Sequence, residues 1–384
     1  MKRDSLFRLH KVKFMSTSYK PLTETYYTNP LATSWLAKDE EFINSKDVIQ
    51  KFHQSFPGYE TSKLLQLPNE HGVSLYVKEE SSRFTLPSFK ILGASWGVFR
   101  CLTERFNLNR CDMSLIDLKE YILNKSSDLT LVAATDGNHG RAVAYMAKLL
   151  GIQSKIFTPR NVLESECEKI RSEEGSEVVK LNGNYDQAVL FASKFVEKNP
   201  KRYVLIQDFA FSGYEDVPDW IAHGYATLCQ EIPFEPDVIF IPAGAGCLAH
   251  GITLYYRSKL TKTKIFVVEP DTSYTVNKSL YLGELSSDPG DSSTIMDGLN
   301  CPTMSSIAFP ILSGGVTFSG LVSDRDCVIA LDELKTQHVN SGPCGAVTYA
   351  AFINFAKKMK LAGDLKEGDS VVVLSTEAYR DFRK

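Results

Sequence analysis

The chain has 384 residues, 43% hydrophobic and 23% charged, with 43 basic against 46 acidic side chains and a formal net charge of −3. That length supports a large core in two lobes, and the balanced charge gives no electrostatic footprint for nucleic acid. No apolar run approaches the roughly 20 residues that span a membrane.

The first segment, Met1 to Lys13, carries five basic residues against Asp4 alone. It reads as a flexible arm, taken as residues 1–28, or as a mitochondrial targeting peptide. The eight cysteines (Cys101, Cys111, Cys167, Cys229, Cys247, Cys301, Cys327 and Cys344) form no Cys-x-x-Cys pair and no zinc spacing, so no metal site is expected. Scattered thiols and the lack of a secretory apolar region fit a reducing compartment, the cytoplasm.

Further along, Lys90 stands near the start of a helix, with Pro87 and Ser88 as its N1 and capping candidates. Phe89, Ile91 and Leu92 surround it with apolar groups. Such a position lowers a lysine pKa and suits Schiff-base chemistry, although many such lysines simply reach out to water.

An apolar strand at Leu129 to Val132 leads into the turn Ala134-Thr-Asp-Gly-Asn-His-Gly140, and a helical pattern follows from Arg141 to Leu150. Two glycines, an Asn, an Asp and a His in one strand-to-helix turn suit a ligand better than a core. Asp136 reads equally as a helix N-cap or as a functional carboxylate.

Strand and helix then alternate. Strands are expected at Lys155 to Thr158, Val178 to Leu181 and Tyr203 to Ile206, with helices at Val162 to Gly175 and Tyr185 to Lys198. Asp237 to Pro242, Lys264 to Val268 and Ser370 to Leu374 are continuously apolar strands. Strands apolar on both faces and separated by helices indicate an α/β protein with mostly parallel sheets flanked by helices. Pro289 to Ser293 reads as a surface loop.

The strand at Val238 to Ile241 enters Pro242-Ala-Gly-Ala-Gly-Cys-Leu-Ala-His250, a turn able to cradle an anion at a helix N-terminus. The same turn satisfies G-x-G-x-x-A through Gly244, Gly246 and Ala249, and Glu269 ends the next strand where a ribose-binding acid belongs. An NAD-dependent oxidoreductase is therefore a rival reading, though it leaves Lys90 and the Asp136 turn unexplained. Ser375 and Thr376, at the end of the last strand, offer hydroxyls for a ring nitrogen or for a local cap.

Taken together and in this order, these elements resemble the fold-type II pyridoxal-phosphate enzymes, the tryptophan synthase β-like group. More closely, they resemble the diaminopropionate ammonia-lyases, which place an Asp before the Gly as Thr135-Asp136-Gly137-Asn138-His139-Gly140 does. Further matches are Arg83-Phe84, Phe89-Lys90-Ile91-Leu92-Gly93, Gln207-Asp208, Gly213-Tyr214-Glu215, Gly224-Tyr225-Ala226-Thr227, Gly298-Leu299-Asn300-Cys301 and Ser375-Thr376-Glu377. The resemblance runs from about Asn29 to Glu377.

It implies a cofactor, pyridoxal 5'-phosphate, in a cleft between two lobes: residues 29–90 and 216–384 as the large cofactor-binding domain, 91–215 as the small one. Lys90 would hold the cofactor as a Schiff base, and Asn138 would bond the ring hydroxyl oxygen. The N–H groups of Gly244, Ala245, Gly246, Cys247 and Leu248 would cradle the phosphate, and Ser375 would face the pyridine nitrogen.

The implied reaction is α,β-elimination of 2,3-diaminopropionate to pyruvate and ammonia. Lys90 would act on one face. Asp136 would serve as base on the other face or as counter-charge for the β-ammonium. The partner implied is a small amino acid, in a homodimer, with no nucleic acid and no membrane. A serine or threonine dehydratase or another β-eliminating lyase is the alternative within the group; an NAD-dependent oxidoreductase and a catalytically inactive pyridoxal-phosphate-binding protein are the more distant ones.

Three segments depart from the family pattern. Ala378-Tyr379-Arg380-Asp381 stands where Gly-Asp-Thr-Asp is usual, Asp297 replaces an Ala, and Pro343-Cys344 interrupts a Ser-Gly-Ala run.

Overall fold

The alternation of apolar strands and amphipathic helices resolves into two helix-covered sheets. The computed structural model describes residues 26–109, 113–135, 137–287 and 293–382. Asp136, Cys111, residues 1–25 of the basic arm and residues 289–292 of the expected loop lie outside the described residues.

Among the described residues, one sheet has seven strands, ordered Tyr27–Thr28, Phe318–Val322, Lys264–Pro270, Val238–Pro242, Ser370–Ser375, Ser74–Glu79 and Lys63–Leu67. Its interior pairings are parallel and its two edge strands are antiparallel. The other sheet is wholly parallel, ordered Ser176–Lys180, Gln153–Thr158, Thr130–Ala134 and Tyr203–Leu205. Every residue of Thr130–Ala134 and of Val238–Pro242 is buried. That is the burial a parallel strand acquires when helices cover both faces.

Element boundaries follow the sequence reading within a few residues, with two instructive differences. The helix after the Asp136 turn spans Asn138–Leu150, with Gly137 at its cap position. The Thr135 hydroxyl accepts the N–H groups of Gly137 and Gly140 at 2.9 and 3.0 Å, so its first turn forms ahead of Arg141.

The helix carrying Lys90 spans Lys90–Phe106, so Lys90 is its first residue, and neither Pro87 nor Ser88 holds the expected N1 or cap position. Residues 87–89 are committed elsewhere. Phe89 N–H donates to Thr376 C=O at 3.2 Å and Ala378 N–H to Pro87 C=O at 2.8 Å, which ties this segment to the chain leaving the last strand.

Helices Lys90–Phe106, Asp216–Gly224 and Cys247–Arg257 meet at backbone contact. A Cβ on Gly93 would lie 2.6 Å from the Tyr225 ring, and one on Gly97 2.5 Å from Ile221 Cγ1. At Gly224 it would lie 2.4 Å from Leu92 C=O, and at Gly251 2.1 Å from Ala222 C=O. Backbone cannot move aside as a flexible side chain can, so overpacking here carries its full penalty. Gly251→Ala is therefore expected to destabilise the fold by about 1–3 kcal/mol or more. A lowered denaturant midpoint checks this; an unchanged midpoint would show that the helices have room to separate.

Candidate active site

Parallel strands deliver their C-terminal ends to one side of a sheet, and the loops that follow build the cleft. Five strand ends do so here. Ser74–Glu79 is followed by the segment reaching Lys90, Thr130–Ala134 by Thr135 and Asn138, and Tyr203–Leu205 by Asp208. Val238–Pro242 is followed by Gly244 to Leu248, and Ser370–Ser375 by Thr376 and Glu377. All these loop residues line one cleft, with about 970 Å³ of empty space including its open mouth.

Lys90, Asn138, Gly244, Ala245, Gly246, Cys247 and Leu248, assigned from the sequence, are thus brought together in the cleft. Ser375 is buried beneath it at the strand end, and its hydroxyl has no hydrogen-bond partner among the described residues. Asp136 lies outside the described residues, between two that line the cleft, Thr135 and Gly137.

The segment before Lys90 is held by charges out of water. The Arg83 guanidinium donates to both oxygens of Glu80 at 2.7 and 2.9 Å, and to both oxygens of Glu231 at 2.7 Å. Lys78 Nζ donates to Glu231 as well, at 2.7 Å. Burial alone would push the Glu231 pKa up, but the Arg83 and Lys78 cations bring it down to about 2. This cluster clamps a turn in which Phe84 and Thr85 adopt left-handed φ values of 50° and 69°. Such backbone is costly for side-chain-bearing residues and persists only where surroundings enforce it.

Lys90 Nζ donates to Asp208 Oδ2 at 2.6 Å. This corrects the expectation of a lowered lysine pKa. Burial pulls the Lys90 pKa down, but the Asp208 carboxylate and the nearby Cys247 and Cys301 sulfurs outweigh it, and the pKa is raised. Burial likewise favours a protonated Asp208, yet His139 and Lys90 hold its pKa at about 2. His139, whose Nε2 lies 2.9 Å from Ile206 C=O and Nδ1 3.7 Å from Asp208, has its pKa lowered chiefly by burial.

Gly246 takes φ +93°, a left-handed conformation suited to glycine, and caps the helix Cys247–Arg257. The first-turn N–H groups of that helix have no intrahelical acceptor. At Gly244 an added Cβ would sit 2.9 Å from Cys301 Sγ and 3.0 Å from Gly298 C=O, so the cradle keeps its space only because a hydrogen stands there. A helix N-terminus ringed with glycine fits a phosphate, the lysine fits an aldehyde, and the buried Ser375 hydroxyl lacks an acceptor. The residues present therefore fit pyridoxal phosphate.

The dinucleotide alternative fails on Glu269. Its buried carboxylate accepts the N–H groups of Val276 and Asn277 at 2.9 and 2.6 Å, capping the helix Thr275–Leu282, and burial pushes its pKa up to about 8. It does not line the cleft.

Glu377 is the residue that the sequence reading did not single out. One oxygen accepts from Asn138 Nδ2 at 2.8 Å and the other from Cys344 N–H at 3.3 Å. Its signal was present in the Ser375-Thr376-Glu377 match. Asp208 had the same kind of signal in Gln207-Asp208, but nothing local tied either carboxylate to the residue it serves.

A family model described as pyridoxal-phosphate dependent enzyme matches residues 56–377. The chain belongs to the pyridoxal-phosphate dependent enzymes. It is 33% identical to diaminopropionate ammonia-lyase of Salmonella typhimurium (strain LT2) over 310 residues, 76% of this chain and 74% of that protein. It is 32% identical to that of Escherichia coli (strain K12) over 359 residues, 87% and 88% of the two chains. The crystal structure of the Escherichia coli diaminopropionate ammonia lyase in complex with an aminoacrylate-PLP azomethine reaction intermediate superposes with a TM-score of 0.81, at 26% identity and 94% coverage of each chain. No described helix is long and apolar enough to cross a membrane.

Asp208 predicts a pH shift. A lysine attacks an aldehyde only as the neutral amine, and Asp208 holds the proton on Lys90. Asp208→Asn removes the carboxylate that opposes burial most strongly, so the Lys90 pKa falls. The pH at which the protein stripped of cofactor takes up pyridoxal phosphate at half its maximal rate should move down, as followed by absorbance. An unchanged or higher midpoint would show that Asp208 does not set the Lys90 charge.

Proposed function

We propose that this protein is an ammonia-lyase that converts 2,3-diaminopropionate to pyruvate and ammonia by α,β-elimination, with pyridoxal phosphate as cofactor. The observation that carries the reading is Lys90 at 2.6 Å from Asp208 in the same cleft as the Gly244–Leu248 cradle and the Asn138 turn. It occurs in a chain 32–33% identical to diaminopropionate ammonia-lyases.

When bound, pyridoxal phosphate supplies an electron sink for the bond broken at Cα. The N–H groups of Gly244, Ala245, Gly246, Cys247 and Leu248 would hold its phosphate. Asn138, its amide oriented by Glu377, would bond the ring hydroxyl oxygen. The Ser375 hydroxyl, buried without a hydrogen-bond partner among the described residues, would face the ring nitrogen, and a neutral hydroxyl would not force that nitrogen to stay protonated as a carboxylate does. A tempered sink of this kind favours elimination over transamination.

Lys90 carries the Cα proton on one face of the substrate, and Asp208 orients its amine. Asp136 acts from the other face, as base for the D-isomer or as counter-charge to the β-ammonium. The Cα–H electron pair forms the new double bond while the Cβ–N bond breaks, and its electrons leave on ammonia. The dehydro amino acid released adds water to give pyruvate and a second ammonia.

The assay is pyruvate release from D- and L-diaminopropionate by cofactor-loaded protein. Lys90→Ala should abolish it, and Asp136→Asn should lower kcat/KM for at least one isomer by about 100-fold or more. Full activity of Asp136→Asn on both isomers would refute the role given to Asp136. Serine turned over in preference to diaminopropionate would move the protein to the dehydratases.

A further inference from the structure

Lys90 and Arg380 are the two Lys or Arg side chains among the residues lining the cleft, and Lys90 is engaged by Asp208. Arg380 also lines a smaller adjoining pocket, shared with Gly137, Asn138 and Glu377. Its side chain is 20% exposed.

Two carboxylates hold Arg380 in place without satisfying it. Its nitrogens lie 3.6 Å from Glu377 Oε1 and 3.9 Å from Asp297 Oδ2. Hydrogen-bonded guanidinium–carboxylate pairs are shorter, about 2.7–2.9 Å. Its hydrogen bond among the described residues runs from one terminal nitrogen to Cys344 Sγ at 3.6 Å, a weak acceptor. The Arg380 Nε is buried and, although Glu377 Oε1 lies 3.6 Å away, makes no hydrogen bond among the described residues. A charged donor left in this state costs free energy until an acceptor arrives. Arg380, Asp297 and Cys344 come from the three segments in which the sequence departs from the family pattern, and here they meet.

We infer that Arg380 binds the α-carboxylate of the amino-acid substrate, which restricts this enzyme to amino acids whose carboxylate is free. The inference rests on the proposed amino-acid lyase reading. The phosphate of the cofactor has its own cradle at Gly244 to Leu248, on backbone N–H groups, so the guanidinium is left for a different anion. Planar guanidinium matches planar carboxylate through two parallel N–H donors.

Charge at the site points the same way. The described lining residues carry two cations, Lys90 and Arg380, against three carboxylates, Asp208, Asp297 and Glu377. Asp297 and Glu377 stand beside Arg380 and put extra negative charge next to it, which a substrate with a second ammonium group complements. That arrangement suits a diamino acid.

The test separates carboxylate recognition from structure and from substrate choice. Cofactor-loaded wild type, Arg380→Gln and Arg380→Lys are titrated with D- and L-alanine and with alaninamide, and binding is read from the change in the cofactor absorbance. Alanine has no β leaving group, so binding is seen without turnover. Arg380→Gln should weaken alanine binding by about tenfold to a hundredfold, with Arg380→Lys recovering part of it. Alaninamide binding should not differ between wild type and Arg380→Gln.

The KM for diaminopropionate should rise more than kcat falls. Alanine bound as tightly by Arg380→Gln as by wild type would overturn the inference, and so would equal losses for alanine and alaninamide. Wild type that binds alanine but releases no pyruvate from diaminopropionate would defeat the substrate reading, while the role of Arg380 would still be decided by the titration.

Discussion

Where helix Lys90–Phe106 crosses helix Asp216–Gly224, no side-chain atom fits between the two backbones. A Cβ at Gly224 would stand 2.4 Å from Leu92 C=O, and one at Gly93 2.6 Å from the Tyr225 ring. Gly251 makes the same demand where the cradle helix meets Ala222. These contacts set the distance between three helices whose leading ends make the cleft. Lys90 begins one, Gly246 caps another, and the third follows Asp208 after a short loop. The 2.6 Å contact between Lys90 and Asp208 joins the seven-stranded sheet side to the four-stranded sheet side.

On that frame, charge is distributed by function. The Arg83, Lys78, Glu80 and Glu231 cluster is satisfied from both sides and clamps the turn that leads to Lys90. The Lys90–Asp208 pair is short and faces the cleft, where it fixes which atom carries the proton. Arg380 differs from both: two carboxylates place it at ion-pair distance, one terminal nitrogen donates to Cys344 Sγ, and its buried Nε makes no hydrogen bond among the described residues. Glu377 links the last two groups, with Asn138 and Cys344 N–H on its oxygens and Arg380 beside it. Satisfied charges build the frame, and the weakly paired Arg380 is the group to which the substrate carboxylate is proposed to bind.

Much of this was legible in the sequence because it is local. The apolar run Val238 to Ile241 followed by Gly244 and Gly246 announces strand, turn and helix within a dozen residues, and the parallel sheet follows from several such runs. What escaped depends on partners far along the chain. Asp208 is 118 residues from Lys90, and its approach reverses the pKa shift expected from the helix start alone. Glu377 is 239 residues from Asn138. Pro87 and Ser88 look like a helix start until residues 376–378 pair with them. Glu269 fits a ribose-binding position until the helix at Thr275 claims both its oxygens. In each case local propensity was outweighed by a tertiary hydrogen bond, an outcome that periodicity cannot announce.

The central claim is that one lysine, Lys90, carries the cofactor within this frame. Borohydride reduction of the cofactor-loaded protein, followed by peptide mass mapping, tests it most directly. The account predicts that the reduced cofactor is found covalently on Lys90 at close to one per chain. Label on a different lysine, or no covalent label on protein saturated with pyridoxal phosphate, would contradict it.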